Sequence, residues 1–122
     1  MKKKVLILHV DDDPDTLTLV HDVLGSVYDA DSARSGKECL AMLHKKKYDG
    51  VLLDVLMPDM SGWDVYQQIR KTDKKLKVAF LSAIECSKER LAKLKKEGVA
   101  DYITKPISPA ELKKRVAAVM KK

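Results

Sequence analysis

Aromatic side chains are scarce in this chain: one tryptophan, one phenylalanine and four tyrosines among 122 residues. With so few rings and no recognition motif, direct nucleic-acid binding is not expected of this domain. Long apolar runs are missing too. Stretches such as Val5 to Leu8 fall far short of the roughly 18 residues that make a membrane helix. The basic start Met1-Lys2-Lys3-Lys4 looks like the head of a secretory signal. However, the apolar run behind it is short, has no small-residue cleavage site and runs straight into Asp11. A cytoplasmic protein with no membrane association is therefore expected. The two cysteines, Cys39 and Cys86, are far apart and fit no metal spacing, and reduced thiols in a cytosol account for both. Cys39 falls among Leu40, Met42 and Leu43 and belongs to a core; Cys86 is a loop or helix-start thiol with no base beside it. Repeats, low-complexity tracts and internal linkers are absent as well. Residues 1–122 are expected to form a single domain.

What is present describes a soluble globular domain, 45% hydrophobic and 34% charged, long enough to bury about two-thirds of its unfolded surface. The net charge of +6 comes from lysines in scattered pairs and triplets such as Lys45 to Lys47, Lys74-Lys75 and Lys95-Lys96. Most of these fall at helix ends or in connections, as on a solvated surface.

Apolar periodicity alternates along the chain. Val5 to Val10 is a continuous strand-like run broken only by His9, and Asp11-Asp12-Asp13-Pro14 ends it. Asp13 suits an N-cap and Pro14 a first helical turn; Leu17, Val20, Val23 and Leu24 then recur at helical spacing until Gly25. A weaker, polar-flecked strand over Val27 to Ala33 fits a sheet edge. Ser35-Gly36 opens a second helix that ends in Lys45 to Lys47. Gly50 to Asp54 is a third strand. Gly62 opens a third helix with Val65, Tyr66 and Ile69 inward, closed by Arg70 and Lys71. Lys77 to Ser82 is a fourth strand, and Ser87 caps a highly charged fourth helix anchored only by Leu91 and Leu94. Val99 to Thr104 is a fifth strand, and Ser108-Pro109 starts a last helix carrying Leu112, Val116 and Val119. Five strands alternating with five helices imply an α/β fold, a doubly wound (βα)5 parallel sheet covered on both faces. Two strand orders are open to such a chain. The flavodoxin-like order 2-1-3-4-5 places the switch point between the first and third strands, where ligands bind.

That order brings Asp11 and Asp12 beside Asp54. Taken alone, Asp54 reads more readily as a turn or capping aspartate, the commonest job of an aspartate after a strand. Three carboxylates at one sheet edge repel each other unless a cation sits among them, and an all-oxygen set favours Mg²⁺. A carboxylate beside Mg²⁺ is equipped to accept a phosphoryl group. Ser82 and Lys105, at the ends of the fourth and fifth strands, supply a hydroxyl and a cation for phosphoryl oxygens.

With those segments in place, the chain resembles the receiver domain of two-component response regulators over essentially its whole length. The resemblance is carried by Val10-Asp11-Asp12-Asp13-Pro14, by Asp54-Val55-Leu56-Met57-Pro58-Asp59-Met60-Ser61-Gly62, by Leu81-Ser82-Ala83 and by Asp101-Tyr102-Ile103-Thr104-Lys105-Pro106. The family's D-x-x-M-P-x-M-x-G pattern is matched at Asp54, Met57, Pro58, Met60 and Gly62. The resemblance implies a switch that takes a phosphoryl group from a sensor histidine kinase or phosphotransfer protein onto Asp54. It would catalyse only its own phosphorylation and dephosphorylation and act on a downstream effector. It further implies Mg²⁺ held by Asp12, Asp54 and the Leu56 carbonyl, with Asp11 acting largely through water. Ser82 would reach the phosphoryl group, Lys105 would balance its charge, and the Lys105-Pro106 peptide would be cis. Tyr102 matches an aromatic position associated with switching, or else is a half-buried strand-end tyrosine. The readout face would be helix four, strand five and helix five, with a phosphorylation-dependent dimer left open.

Two departures stand out. His9 replaces a small or apolar residue; it is expected as a packed, hydrogen-bonded imidazole, with a role near the acidic cluster as the alternative. Leu56 and Ile84 are apolar where the family's hydrolytic water passes, which implies a long-lived phosphoryl group. Two rivals remain. A phosphatase of the haloacid-dehalogenase type would need an acid at Leu56 and more chain for a cap domain. A receiver-like module that is never phosphorylated would not need Asp54, Ser82 and Lys105 together.

Overall fold

A computed structural model describes residues 4–121. Met1, Lys2 and Lys3 of the signal-like start, and Lys122 of the final lysine pair, lie outside the described residues. The elements are β1 (Leu6–Val10), α1 (Pro14–Leu24), β2 (Asp29–Ala33), α2 (Gly36–Lys45), β3 (Gly50–Leu53), α3 (Gly62–Thr72), β4 (Lys77–Ser82), α4 (Lys88–Lys96), β5 (Asp101–Thr104) and α5 (Pro109–Met120). Each helix starts where a short polar side chain can satisfy an orphan N–H. The caps are Asp13, Ser35, Ser61, Ser87 and Ser108, accepting from Asp15, Glu38, Asp64, Arg90 and Glu111.

The strands are all parallel in the order β2-β1-β3-β4-β5, which decides between the two orders open to the sequence. Strand alternation sends Leu8, Val10, Val51, Leu53, Val78 and Phe80 into a core with Cys39, Val65, Ile69 and Leu94 of α2, α3 and α4. Ile7, Leu52, Ala79, Leu81 and Ile103 face the other way, against Val20 and Leu24 of α1 and Leu112, Val116 and Val119 of α5. Polar β2 is an edge strand, as its composition implied.

β2 and β5 each start two residues later than their apolar runs because helix ends claim the first residues. The Leu24 carbonyl accepts from the N–H groups of Val27 and Tyr28, and that of Leu94 accepts from Val99. Gly98 closes α4 with φ 100°, in the left-handed region that glycine enters without strain. Gly62 has a different reason. A Cβ there would collide with the carbonyl oxygen of Asp54, and the Gly62 N–H donates to the Val55 carbonyl at 2.8 Å. The glycine therefore lets α3 begin directly against the backbone that carries Asp54.

His9 corrects the expectation of a hydrogen-bonded imidazole. It is packed, with 2% exposure, but neither ring nitrogen has a hydrogen-bond partner. By alternation it shares the face of Ile7, where the packed side chains are mainly aliphatic. Burial lowers its pKa from 6.5 to about 4, with the charge of Asp11 pulling upward and that of Lys105 downward.

Charging His9 in place is therefore disfavoured, and stability present above pH 6.5 is lost as pH falls toward about 4. The loss assigned to this group is on the order of 3 kcal/mol. His9→Leu should be at least as stable at pH 7 and lose less over that window in urea titrations; equal losses in both proteins would remove the assignment. Gly62→Ala should cost at least about 2 kcal/mol by the same measurement, because the new methyl has no room.

Candidate functional site

The register places the candidate side chains at one edge of the sheet. Val10 pairs with Leu53, so Asp11 and Asp54 both follow immediately on the last paired residues of neighbouring strands. The Asp54 N–H donates to the Val10 carbonyl at 3.0 Å, and the Asp11 N–H to the Ala33 carbonyl at 3.1 Å. Ser82 pairs with Thr104, and the Lys105 N–H donates to the Ser82 carbonyl at 2.8 Å. The sheet thus carries all the candidates to its carboxyl edge, where open α/β sheets bind ligands.

Carboxylate oxygens of Asp11, Asp12 and Asp54 lie within 4.8 Å of one another. Their environments differ. Asp11 is buried with both oxygens engaged: one accepts from the Asp13 N–H at 2.9 Å and the other from Lys105 Nζ at 2.8 Å. Asp12 is exposed. Asp54 is buried, accepts from the Val55 N–H at 2.8 Å, and its other oxygen lies 3.8 Å from Lys105 Nζ. Burial and the charge of Asp11 push the Asp54 carboxyl above the usual carboxylate range, against the pull of Lys105, the Ser82 hydroxyl and the Val55 N–H. A divalent cation among the three would relieve that crowding, and a set of carboxylate and carbonyl oxygens suits a hard ion. The residues fit Mg²⁺.

Ser82 is buried, and its Oγ accepts from the Ile84 N–H at 3.3 Å. The Lys105-Pro106 peptide is cis, as expected. Leu56 and Ile84 stand at the rim with 64% and 37% of their surface exposed. Tyr102 is buried rather than half-buried, at 4% exposure, and its hydroxyl donates to the Ile84 carbonyl at 2.5 Å. It is held inward because Phe80 and Trp63 pack against its ring. Asp13 caps α1, as the sequence implied.

Two residues near the site went unnoticed in the sequence. Asp59 occupies an unspecified position of the D-x-x-M-P-x-M-x-G pattern, yet its carboxylate accepts from the Gly36 and Lys37 N–H groups at 3.2 and 2.9 Å. It pins the loop after Asp54 to the start of α2. Trp63 follows Gly62 and packs against Phe80 and Tyr102, with the Arg90 guanidinium 4.8 Å from its ring centre. Only its position next to Gly62 could have marked it.

A family model described as the response regulator receiver domain matches residues 7–117. The alkaline phosphatase synthesis transcriptional regulatory protein PhoP of Bacillus subtilis is 33% identical, over 100% of this chain and 50% of its own length. The probable transcriptional regulator ycf27 of Guillardia theta is 36% identical, over 99% of this chain and 46% of its own. The chain spans about half the length of these curated relatives. Among solved structures, Vibrio cholerae chemotaxis protein CheY4 superposes with a TM-score of 0.86 at 28% identity, covering 95% of this chain and 98% of its own. Response regulator TrrA of Thermotoga maritima, solved in complex with Mg(2+)-BeF, gives 0.80 at 33% identity, covering 94% and 98%. Receiver domains bind Mg²⁺ at an acidic cluster of the kind that Asp11, Asp12 and Asp54 form here. With the fold, the sheet-edge constellation and a family match over nearly its whole length, the chain belongs to the response regulator receiver domains.

Proposed function

We propose that Asp54 accepts a phosphoryl group from the phosphohistidine of a sensor histidine kinase or phosphotransfer protein, and that residues 1–122 make up one such receiver. The observation that carries this is the position of Lys105 Nζ, 2.8 Å from Asp11 and 3.8 Å from Asp54 at a three-carboxylate cluster. Asp54 Oδ attacks phosphorus, a P–O bond forms as the P–N bond to imidazole breaks, and the imidazole leaves. Lys105 and the Ser82 hydroxyl offset charge on the phosphoryl oxygens. Asp12, Asp54 and the Leu56 carbonyl would hold Mg²⁺, which supplies further positive charge there. Asp11, with both oxygens already engaged, would act through water. The protein turns over no outside substrate in this reading; it catalyses only its own phosphorylation and dephosphorylation.

The readout face would be α4, β5 and α5, acting on a downstream effector or a second copy. Within it the two helices are held unequally. Arg115 of α5 forks onto the Asp101 carboxylate at 2.9 and 3.1 Å and donates to the Tyr102 carbonyl. In α4 only Leu94 is fully buried. A helix with so few buried contacts is the one that a small change at the site can displace. No helix among the described residues is long and apolar enough to cross a membrane, and we place this chemistry in the cytoplasm.

Incubation with Mg²⁺ and acetyl phosphate should add one phosphoryl group to the wild-type mass and none to Asp54→Asn. Equal labelling of the variant would refute the acceptor assignment, no labelling of either would favour an unphosphorylated module, and turnover of outside phosphoesters would favour a phosphatase. Exposed Leu56 and Ile84 cannot orient a hydrolytic water, so the phosphoryl group should outlast minutes, and Leu56→Asn with Ile84→Gln should shorten its life. A wild-type half-life of seconds contradicts this.

A further inference from the structure

Lysines that read as scattered solvated pairs in the sequence, Lys74-Lys75 and Lys95-Lys96, converge in the fold. A cleft of about 350 Å³ lies at the amino edge of the sheet, between the start of β4 and the turn from α4 into β5. Its walls carry Arg70, Lys74, Lys75, Lys77 and Lys95, and among the described residues no carboxylate lines it. Hydrogen bonding leaves this charge in place. Arg70 donates to the neutral carbonyl groups of Asp73, Leu76 and Gly98, and Lys77 Nζ to that of Met120 at 2.6 Å. The ammonium groups of Lys74, Lys75 and Lys95 have no hydrogen-bond or ion-pair partner among the described residues.

The acids nearby are engaged or turned to other work. Asp73 accepts from the Lys75 and Leu76 N–H groups at 2.9 and 3.0 Å. Asp101, which feels the charge of Lys95, is held in the fork of Arg115 at 2.9 and 3.1 Å. Glu97, at the end of α4, is not part of the lining. Helix carboxyl ends attract cations, yet the carbonyl oxygens of Asp73 and Gly98 are already taken by Arg70 and that of Glu97 by the Tyr66 hydroxyl. Five like charges around one concavity repel, and an anion among them lowers their energy. The arrangement is the converse of the carboxylate cluster at the opposite edge.

We propose that this cleft binds a small anion carrying two or more phosphates, free or attached to a nucleoside. Its volume of about 350 Å³ falls at the lower end of small-ligand sites, which span roughly 300 to 1,000 Å³. The apolar part of the lining includes buried Leu76 and Val99, but no aromatic ring is there for a base to stack on. Recognition falls on phosphate oxygens, through charge-assisted bonds from the lysine ammonium groups.

Tripolyphosphate, added without Mg²⁺ at about 150 mM salt, should bind one to one and shift the backbone amide resonances of Lys75, Leu76, Gly98 and Val99. Lys75→Ala with Lys95→Ala should weaken it about tenfold. Lys113→Ala with Lys114→Ala, which removes the same charge from exposed positions of α5, should weaken it less than about twofold. All four lysines are exposed, so both variants should keep the wild-type urea midpoint. Affinity should rise from phosphate through pyrophosphate to tripolyphosphate, and adenosine alone should not bind. Equal affinity for pyrophosphate and adenosine diphosphate supports a free phosphate chain as the ligand, and tighter binding of the diphosphate nucleotide supports a nucleotide. Equal weakening by the two double variants would reduce the effect to attraction by net charge and overturn the proposal. Resonance shifts confined to the edge of Asp54 and Lys105 overturn it too, as does the absence of binding at this salt.

Discussion

Everything at the carboxyl edge of the sheet is set by the crowding of three carboxylates, whose oxygens lie within 4.8 Å of one another, around a single ammonium group. Left free, such groups would separate. They cannot, because Asp11 and Asp54 are the residues next after Val10 and Leu53, which are paired in the ladder. The hydrophobic burial that holds β1 and β3 together thus also maintains the electrostatic strain. Lys105 relieves part of it, and it is itself fixed through the backbone bond to Ser82. The site is a polar arrangement enforced by an apolar one.

That division explains what could be read in the sequence. The runs Val5 to Val10, Gly50 to Asp54 and Lys77 to Ser82 announced strands because a parallel sheet buried on both faces leaves no polar alternation. The helix starts were legible because the caps are local chemistry: Asp13 and four serines bond N–H groups two or three residues away. The ion pair between Lys105 and Asp11 spans 94 positions, and only the strand order brings the two together. With the fold supplied, the carboxylates, Ser82 and Lys105 fell into place.

What stayed hidden depended on packing between elements distant in sequence. The carboxylate of Asp59 binds N–H groups more than 20 positions away, so nothing local marks it as a clamp. His9 was expected to find a hydrogen-bond partner because buried polar groups usually do. The side chains packed on that side of the sheet are mainly aliphatic, and no inspection of β1 alone could show it. The inward position of Tyr102 likewise depends on Phe80 and Trp63, from β4 and α3, closing over it.

Arg70 has a consequence of its own. Its guanidinium is bonded to the carbonyl oxygens of Asp73, Leu76 and Gly98 and to the Tyr66 hydroxyl, which itself donates to the Glu97 carbonyl. Glu97 and Gly98 end α4, so that end is moored to α3 by several charge-assisted or neutral bonds, whereas among the described residues the end near Lys88 is held by the Arg90 contact with Trp63 and by partly buried Leu91. A rod held more firmly at one tip than at the other moves most readily by pivoting. Lever geometry then makes its less firmly held tip, which follows the Ser82 loop, the part that travels farthest.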